Sequence, residues 1–291
     1  MSDTMIRFAN NSLADHFLTK EELKSACPAA FKTVPTNPKV SDRYVQANTE
    51  TVVDDLAILG WYPVQAKQCR TNKKSSGVRS LHMIAFQNPD VKIMKQGPDG
   101  RETIDSWPRI ILTNSHDGFN SFKFLLGMFR LVCSNGLIVG DNEMVNMSIK
   151  HINYDFETLR DIVKTAVEQV PEIVCQMNAM KNTVLNEEQK TELAKSVVKI
   201  RKGVEDDEKF EIDEETIMDI LNPQRNEDKG DDLWTVFNIC QEKMIKGEYS
   251  DVGSNNKPRK QRKITSIKKD IDFNQKLWIA ASKFIPANAE A

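Results

Sequence analysis

Paired cysteines are missing from this sequence. Its five, Cys27, Cys69, Cys133, Cys175 and Cys240, are odd in number and scattered, and no Cys-x-x-Cys pair occurs. That spacing speaks against both a disulfide framework and a zinc ribbon, and it fits a reducing compartment. Long apolar runs are missing too. The richest stretch, Phe119–Val132, is interrupted by Lys123 and Arg130, so no segment approaches the ~18 uncharged apolar residues of a membrane helix. The opening residues, Met1-Ser2-Asp3-Thr4, have neither the basic stretch nor the apolar core of a secretion leader. No Gly-x-x-x-x-Gly-Lys-Ser/Thr loop, Gly-x-Ser-x-Gly elbow or His-Glu-x-x-His helix is found. The four histidines, His16, His82, His116 and His151, fall in separate elements. The expectation is a protein that binds rather than catalyses, with no catalytic residue, no metal, no cofactor and no membrane partner.

What the sequence has is opposed charge. The formal net charge of −2 hides an acidic block, Glu205–Asp232, with 13 acidic and 3 basic residues, and a basic one, Lys257–Lys269, with 7 basic and no acidic residue. Each block is either solvated surface or, for the basic one, a phosphate contact that the acidic one limits.

The periodicities predict an α+β fold, an antiparallel β-meander flanked by helices and followed by a helical C-terminal half. Residues 1–40 read as an arm with one short helix, which Thr19 and Glu22 cap reciprocally and Cys27-Pro28 ends. Residues 41–150 read as the α+β core. Here a helix over Thr49–Leu59 stops at Gly60, and strands run over Trp61–Ala66, Leu81–Phe86 and Pro108–Thr113. A helix from about Phe119 to Leu131 and a short strand, Leu137–Val139, complete it. Residues 151–249 read as helical, with a long seam from Phe156 to Val184, interrupted by Pro171, that packs on the sheet or joins copies into a homo-oligomer. Residues 250–291 read as a basic linker, through 263, and a last helix near Asp270–Lys283.

Three readings are open for Asn114, Ser115, His116 and Asp117, placed between a strand and the expected helix. They cap and turn the chain, they meet a phosphate at the helix N-terminus, or they serve as acid, base or metal ligand. His82, in mid-strand, reads as a hydrogen-bonded sheet residue. A stronger signal is Lys67, Arg70, Lys73, Lys74 and Arg79, five cations between two strands with no acid among them. With Trp61 and Tyr62 as stacking faces, and Lys257, Arg259, Lys260, Arg262 and Lys263 as a second cluster, they suit single-stranded DNA.

Several runs carry a resemblance. Ser41-Asp42-Arg43-Tyr44, Leu59-Gly60-Trp61, Thr113–Gly118 leading to Gly127-Met128-Phe129-Arg130, and Val132–Gly136 resemble a phage and plasmid family, domain of unknown function 932. Leu233–Glu242 with Gly247, and Asn274–Trp278, resemble its C-terminal blocks. The resemblance implies a mobile-element origin and the host cell cytoplasm, and it brings no activity. The helix, meander and Leu-Gly-Trp step are also similar, more distantly, to the core of single-strand annealing recombinases. The function expected is nucleic-acid binding, with single-strand binding or annealing as its form; the alternative is a protein–protein adaptor or counter-defence factor.

Overall fold

Helix ends are the most explicit structural instructions in this chain, and they are followed closely. A computed structural model describes residues 16–37, 48–69, 80–96, 100–118, 120, 122–130, 136–138, 147–149, 155–204, 211–225, 228–252 and 258–286. The chain divides into two units, Met1–Ile138 with Asn142–Val170 and Val139–Asp141 with Pro171–Ala291.

In the first unit, α1 (Lys20–Ala26) opens on the expected capping box: Thr19 N donates to Glu22 Oε2 at 2.8 Å, and Glu22 N to Thr19 Oγ1 at 3.2 Å. Cys27 closes α1, and Pro28–Phe31 form one 3₁₀ turn. Helix α2 (Thr49–Ile58) is capped by Asn48 and buries Val52, Val53 and Leu56. Gly60, at φ +81°, supplies the left-handed residue that ends it.

The sheet has seven antiparallel strands: β1 (Tyr62–Gln68), β2 (His82–Gln87), β3 (Ile93–Gln96), β4 (Glu102–Asn114), β5 (Phe122–Arg130), β6 (Gly136–Ile138) and β7 (Met147–Ile149). Their order is β1-β2-β4-β5-β6, with β3 also on β4 and β7 also on β5. The long β4 is the spine. One of its edges is shared by β2, along Arg109–Asn114, and β3, along Glu102–Ser106, and the other pairs with β5 from Ser106 to Thr113. Pro63 stands where the β1–β2 register shifts, so its missing N–H interrupts no regular ladder. Every residue of β2 is buried, as is β4 from Asp105 to Asn114.

Two-sided burial explains the main correction. The helix expected over Phe119–Leu131 is strand β5, in a run where Phe122, Phe124, Leu125, Leu126 and Met128 are all buried. A strand covered on both faces shows no period of two, and a short apolar run then reads equally as helix. The aromatics and mid-run Gly127 favour the strand. The meander-then-helix order behind the comparison with annealing recombinases is therefore not the order of this sheet.

In the second unit, α4 (Glu187–Lys202) starts on an Asn186–Gln189 capping box and ends on left-handed Gly203. Helices α5 (Glu214–Leu221) and α6 (Leu233–Lys246) take Asp213 and Asp232 as their caps, and α7 (Ile267–Ser282) takes Ser266. Helix α3 (Phe156–Asn182) crosses the division between units at Pro171, without the restart that proline suggested. Almost all of α6 is buried. Its Trp234 stacks on Phe237 at 5.6 Å, and Trp278 of α7 meets both rings edge-on. Residues 250–263 are not wholly a linker: β8 (Ser250–Val252) and β9 (Pro258–Lys260) pair within them.

Leu56 and Ile58 give a paired test, being 0% and 68% exposed on the same helix. Leu56→Ala should destabilise the protein by about 2–5 kcal/mol. Ile58→Ala should change stability by no more than about 0.5 kcal/mol. Urea unfolding midpoints of the two variants check the difference.

Candidate functional site

The ends of β2 and β4 lie side by side, with His82 opposite Asn114 in the ladder. Helix α2 brings Thr49 onto this pair from 33 residues away in sequence, and its hydroxyl becomes a hub. Thr49 Oγ1 lies 2.9 Å from His82 Nε2, 3.2 Å from His116 Nε2 and 2.9 Å from Asn114 Nδ2. All four residues are fully buried.

The proton positions follow from the partners. Burial, foremost, pushes the His82 imidazole down to about 3, against a raising hydrogen bond to the Ser80 carbonyl, so this ring is neutral at pH 7. Its Nδ1 lies 2.7 Å from that carbonyl, which can only accept, so Nδ1 carries the hydrogen and Nε2 accepts. Thr49 must then donate its one hydrogen to His82. That leaves two lone pairs on Oγ1, one taken by the Asn114 amide and the other by an N–H on His116 Nε2. The hydroxyl is saturated. The two imidazoles meet edge-on, with centroids 5.3 Å apart.

The turn after β4 is fixed by the same economy. Asn114 Oδ1 accepts from Ser115 N at 2.7 Å, Asp117 Oδ2 from Ser80 N at 3.0 Å, and Ser80 Oγ from His116 N at 2.7 Å. From the N-terminal arm, Thr36 N donates to the His116 carbonyl at 2.7 Å and Asn37 Nδ2 to the Asp117 carbonyl at 3.1 Å. Ser115 Oγ lies 3.2 Å from Asn120 Nδ2. Gly118, at φ +75°, turns the chain toward β5.

Asn114–Asp117 thus join two strands. The expected capping by Asp117 does not occur, because no helix follows, and the phosphate reading loses the helix N-terminus it relied on. In the structure these four residues hold the turn through the hydrogen bonds above. Among the described residues, no group of three or more His, Cys, Asp or Glu side chains is placed to hold a metal.

The predicted nucleic-acid residues fall in both units. Lys67 lies on β1 opposite Met83, while Arg70, Lys73, Lys74 and Arg79 fall outside the described residues. Trp61 is 1% exposed and belongs to the core, which corrects its reading as a stacking face; a buried indole presents none. Tyr62 is half-buried, with its ring 5.3 Å from that of Phe17. Lys257 falls outside the described residues, while Arg259 and Lys260 on β9, and Arg262 and Lys263 after it, are exposed. Lys268 and Lys269, at the start of α7, are exposed as well.

The family model described as "Domain of unknown function (DUF932)" matches residues 38–278. The chain belongs to this family. It is 30% identical over 284 residues to the UPF0380 protein YfjQ of Escherichia coli (strain K12), and 29% identical over 284 residues to the UPF0380 protein YafZ of the same strain. Both alignments cover 95% of this chain and 95% of the relative. No solved structure matches it. All of the hub residues of this DUF932 chain lie within the matched region.

Sequence reasoning found Asn114–Asp117 and gave His82 its hydrogen-bonded role, but it missed Thr49 and Ser80. A hydroxyl at the first position of a helix carries no sign of partners 33 and 67 residues away. Chemically, a hydroxyl beside an imidazole suggests a nucleophile and its base. In this DUF932 chain the hydroxyl is engaged by His82, Asn114 and His116, and burial keeps the His82 imidazole neutral near pH 7.

The buried imidazole has a consequence for stability. A histidine held neutral in the folded state has its pKa lowered from 6.5, so its contribution is complete above the unfolded pKa. It is lost as pH falls from 6.5 toward about 3. His82→Gln should remove one proton's worth of this acid sensitivity, a slope of about 1.4 kcal/mol per pH unit. Urea unfolding at pH 7, 6, 5 and 4 measures it; equal slopes for variant and parent would refute the neutral assignment.

Proposed function

We propose that the protein binds single-stranded nucleic acid without strong sequence preference, through the basic segment 257–269, with Lys67–Arg79 as a second contact. One observation carries the reading. Arg259, Lys260, Arg262, Lys263, Lys268 and Lys269 are all exposed, and none is paired with a carboxylate among the described residues. Other cations of the same unit are engaged: Lys190 with Glu187 and Asp231, Lys202 with Asp251, Arg225 and Lys246 with Glu242, and Lys243 with Asp219. Single exposed lysines such as Lys195, Lys229 and Lys283 are open as well, but here six open cations fall within residues 259–269. Cations held close together without counter-charges repel one another, and a polyanion relieves that repulsion while releasing its own condensed counterions. The mobile-element origin and cytoplasmic setting implied by the family resemblance belong to the same proposal.

Fluorescence anisotropy with a labelled single-stranded DNA oligonucleotide, across a salt series, is the test. The slope of log K against log salt should be steep, at roughly −0.7 per phosphate contact. Lys260→Glu with Arg262→Glu should weaken binding uniformly across sequences and flatten the slope by about two contacts' worth. Lys73→Glu with Lys74→Glu should act in the same direction. No binding at ~50 mM salt, or binding indifferent to both pairs, would put the adaptor reading ahead.

A further inference from the structure

We propose that the basic segment is a built arm rather than a loose tail, and that Gly247 and Arg201 are its positioning residues. Its purpose rests on the nucleic-acid reading above; its architecture rests on the second unit alone.

Helix α6 ends at Gly247, which takes the left-handed conformation at φ +68°. The arm crosses that helix end in direct contact with it. A Cβ on Gly247 would stand 2.5 Å from Arg262 C, 2.7 Å from Lys263 N and 2.8 Å from Arg262 O. These are backbone atoms, so no side-chain rotation could make room. Any residue but glycine would push the arm off the helix.

Further ties hold the same segment. Ile264 N donates to the Ile245 carbonyl at 2.8 Å, and Gln261 N to the Tyr249 carbonyl at 2.9 Å. Arg201 Nη2, from the last turn of α4, donates to the Arg262 carbonyl at 2.7 Å. Upstream, β9 pairs with β8 from Pro258 to Lys260, and Lys202 of α4 is ion-paired with Asp251 of β8. Downstream, Ile264 is buried. The backbone from Pro258 to Ile264 is thus ordered before any ligand arrives, while Arg259, Lys260, Arg262 and Lys263 project from it. The last carbonyls of α6, at the negative end of its dipole, offset the repulsion among these cations. Binding to such an arm spares the entropy of ordering it, and this is the gain that Gly247 and Arg201 secure.

The molecule carries its own control. Gly203 ends α4 in the same left-handed conformation, at φ +70°, and a Cβ there would meet nothing within 4 Å. Gly203→Ala therefore imposes the backbone strain alone, and Gly247→Ala imposes the strain and the collision. Trypsin, which cleaves after Lys and Arg in extended accessible chain, reads the arm directly. Cleavage within Arg259–Lys263 should quicken about tenfold in Gly247→Ala, the factor expected from freeing one or two ordered residues. In Gly203→Ala it should stay at the parental rate. Arg201→Lys, which keeps the charge and a trypsin site but loses the fork that reaches Arg262, should quicken it too. This second variant carries the test if Gly247→Ala fails to fold. Equal cleavage in Gly247→Ala and Gly203→Ala, or no change in Arg201→Lys where Gly247→Ala does not fold, overturns the proposal.

In the anisotropy assay, Gly247→Ala should bind labelled single-stranded DNA about tenfold more weakly than Gly203→Ala, with the salt slope kept, because no charge is lost. Equal affinity would overturn the positioning role. Absence of binding by the parent protein would sink the functional reading instead, and cleavage would still decide the arm.

Discussion

A polar group buried at a strand end is costly unless another side chain satisfies it, and the cluster at the ends of β2 and β4 is organised around that constraint. Strands β2 and β4 are covered along their paired length, so His82 and Asn114, side by side at their ends, have no water to turn to. An unpaired buried polar group costs about 1–3 kcal/mol, enough to matter against a marginal folding free energy. Thr49 solves this with a single oxygen. One donor and two lone pairs satisfy three side chains, and the helix that delivers it is thereby fixed against the strand ends. The arm residues Thr36 and Asn37 close the remaining carbonyls of the turn. Helix, arm and hairpin are joined by bonds that exist only in this register.

How much of this was legible depends on how local each instruction is. Thr19 and Glu22 announced a helix start because a cap acts on its own helix within three residues. Gly60 announced a helix end for the same reason. Strand β5 was not legible, since alternation exists only where one face meets solvent and neither face of Phe122–Met128 does. The misreading propagated: Asn114–Asp117 were placed before a helix and given the roles a helix N-terminus would confer. The hub was legible in part. Its histidine and asparagine lay in polar places along the sequence, whereas Thr49 is defined by contacts that only the folded chain makes.

Gly247 shows a limit of a different kind. It ends its helix by a purely local signal, yet the same glycine is needed for a close approach by Arg262 and Lys263, some fifteen residues on. Gly203, with equal torsion and open space around it, is a stop and nothing more. Two glycines with one local signature therefore differ in what they constrain, and the difference lies in the tertiary neighbour. The apparent linker of residues 250–263 has the same origin: three-residue strands leave too short a pattern to read, and their pairing is held by Arg201 and Lys202 from another helix.

The two units handle polar chemistry in opposite ways, and this is why we propose binding at the basic arm of one rather than at the hub of the other. At Thr49 the hydroxyl's hydrogen and both lone pairs are engaged, and burial holds His82 neutral near pH 7. A site that has already spent its hydrogen bonds on itself gains little from a ligand. The basic arm is the converse case: its backbone is tied and its charges are open, while Lys190, Lys202, Arg225, Lys243 and Lys246 elsewhere in the unit have carboxylates of their own. Since self-repulsion opposes leaving so many cations unpaired on a fixed backbone, a counter-charge from outside the chain is what the arrangement calls for. A polyanion supplies it with no demand on sequence, consistent with a surface made of point charges.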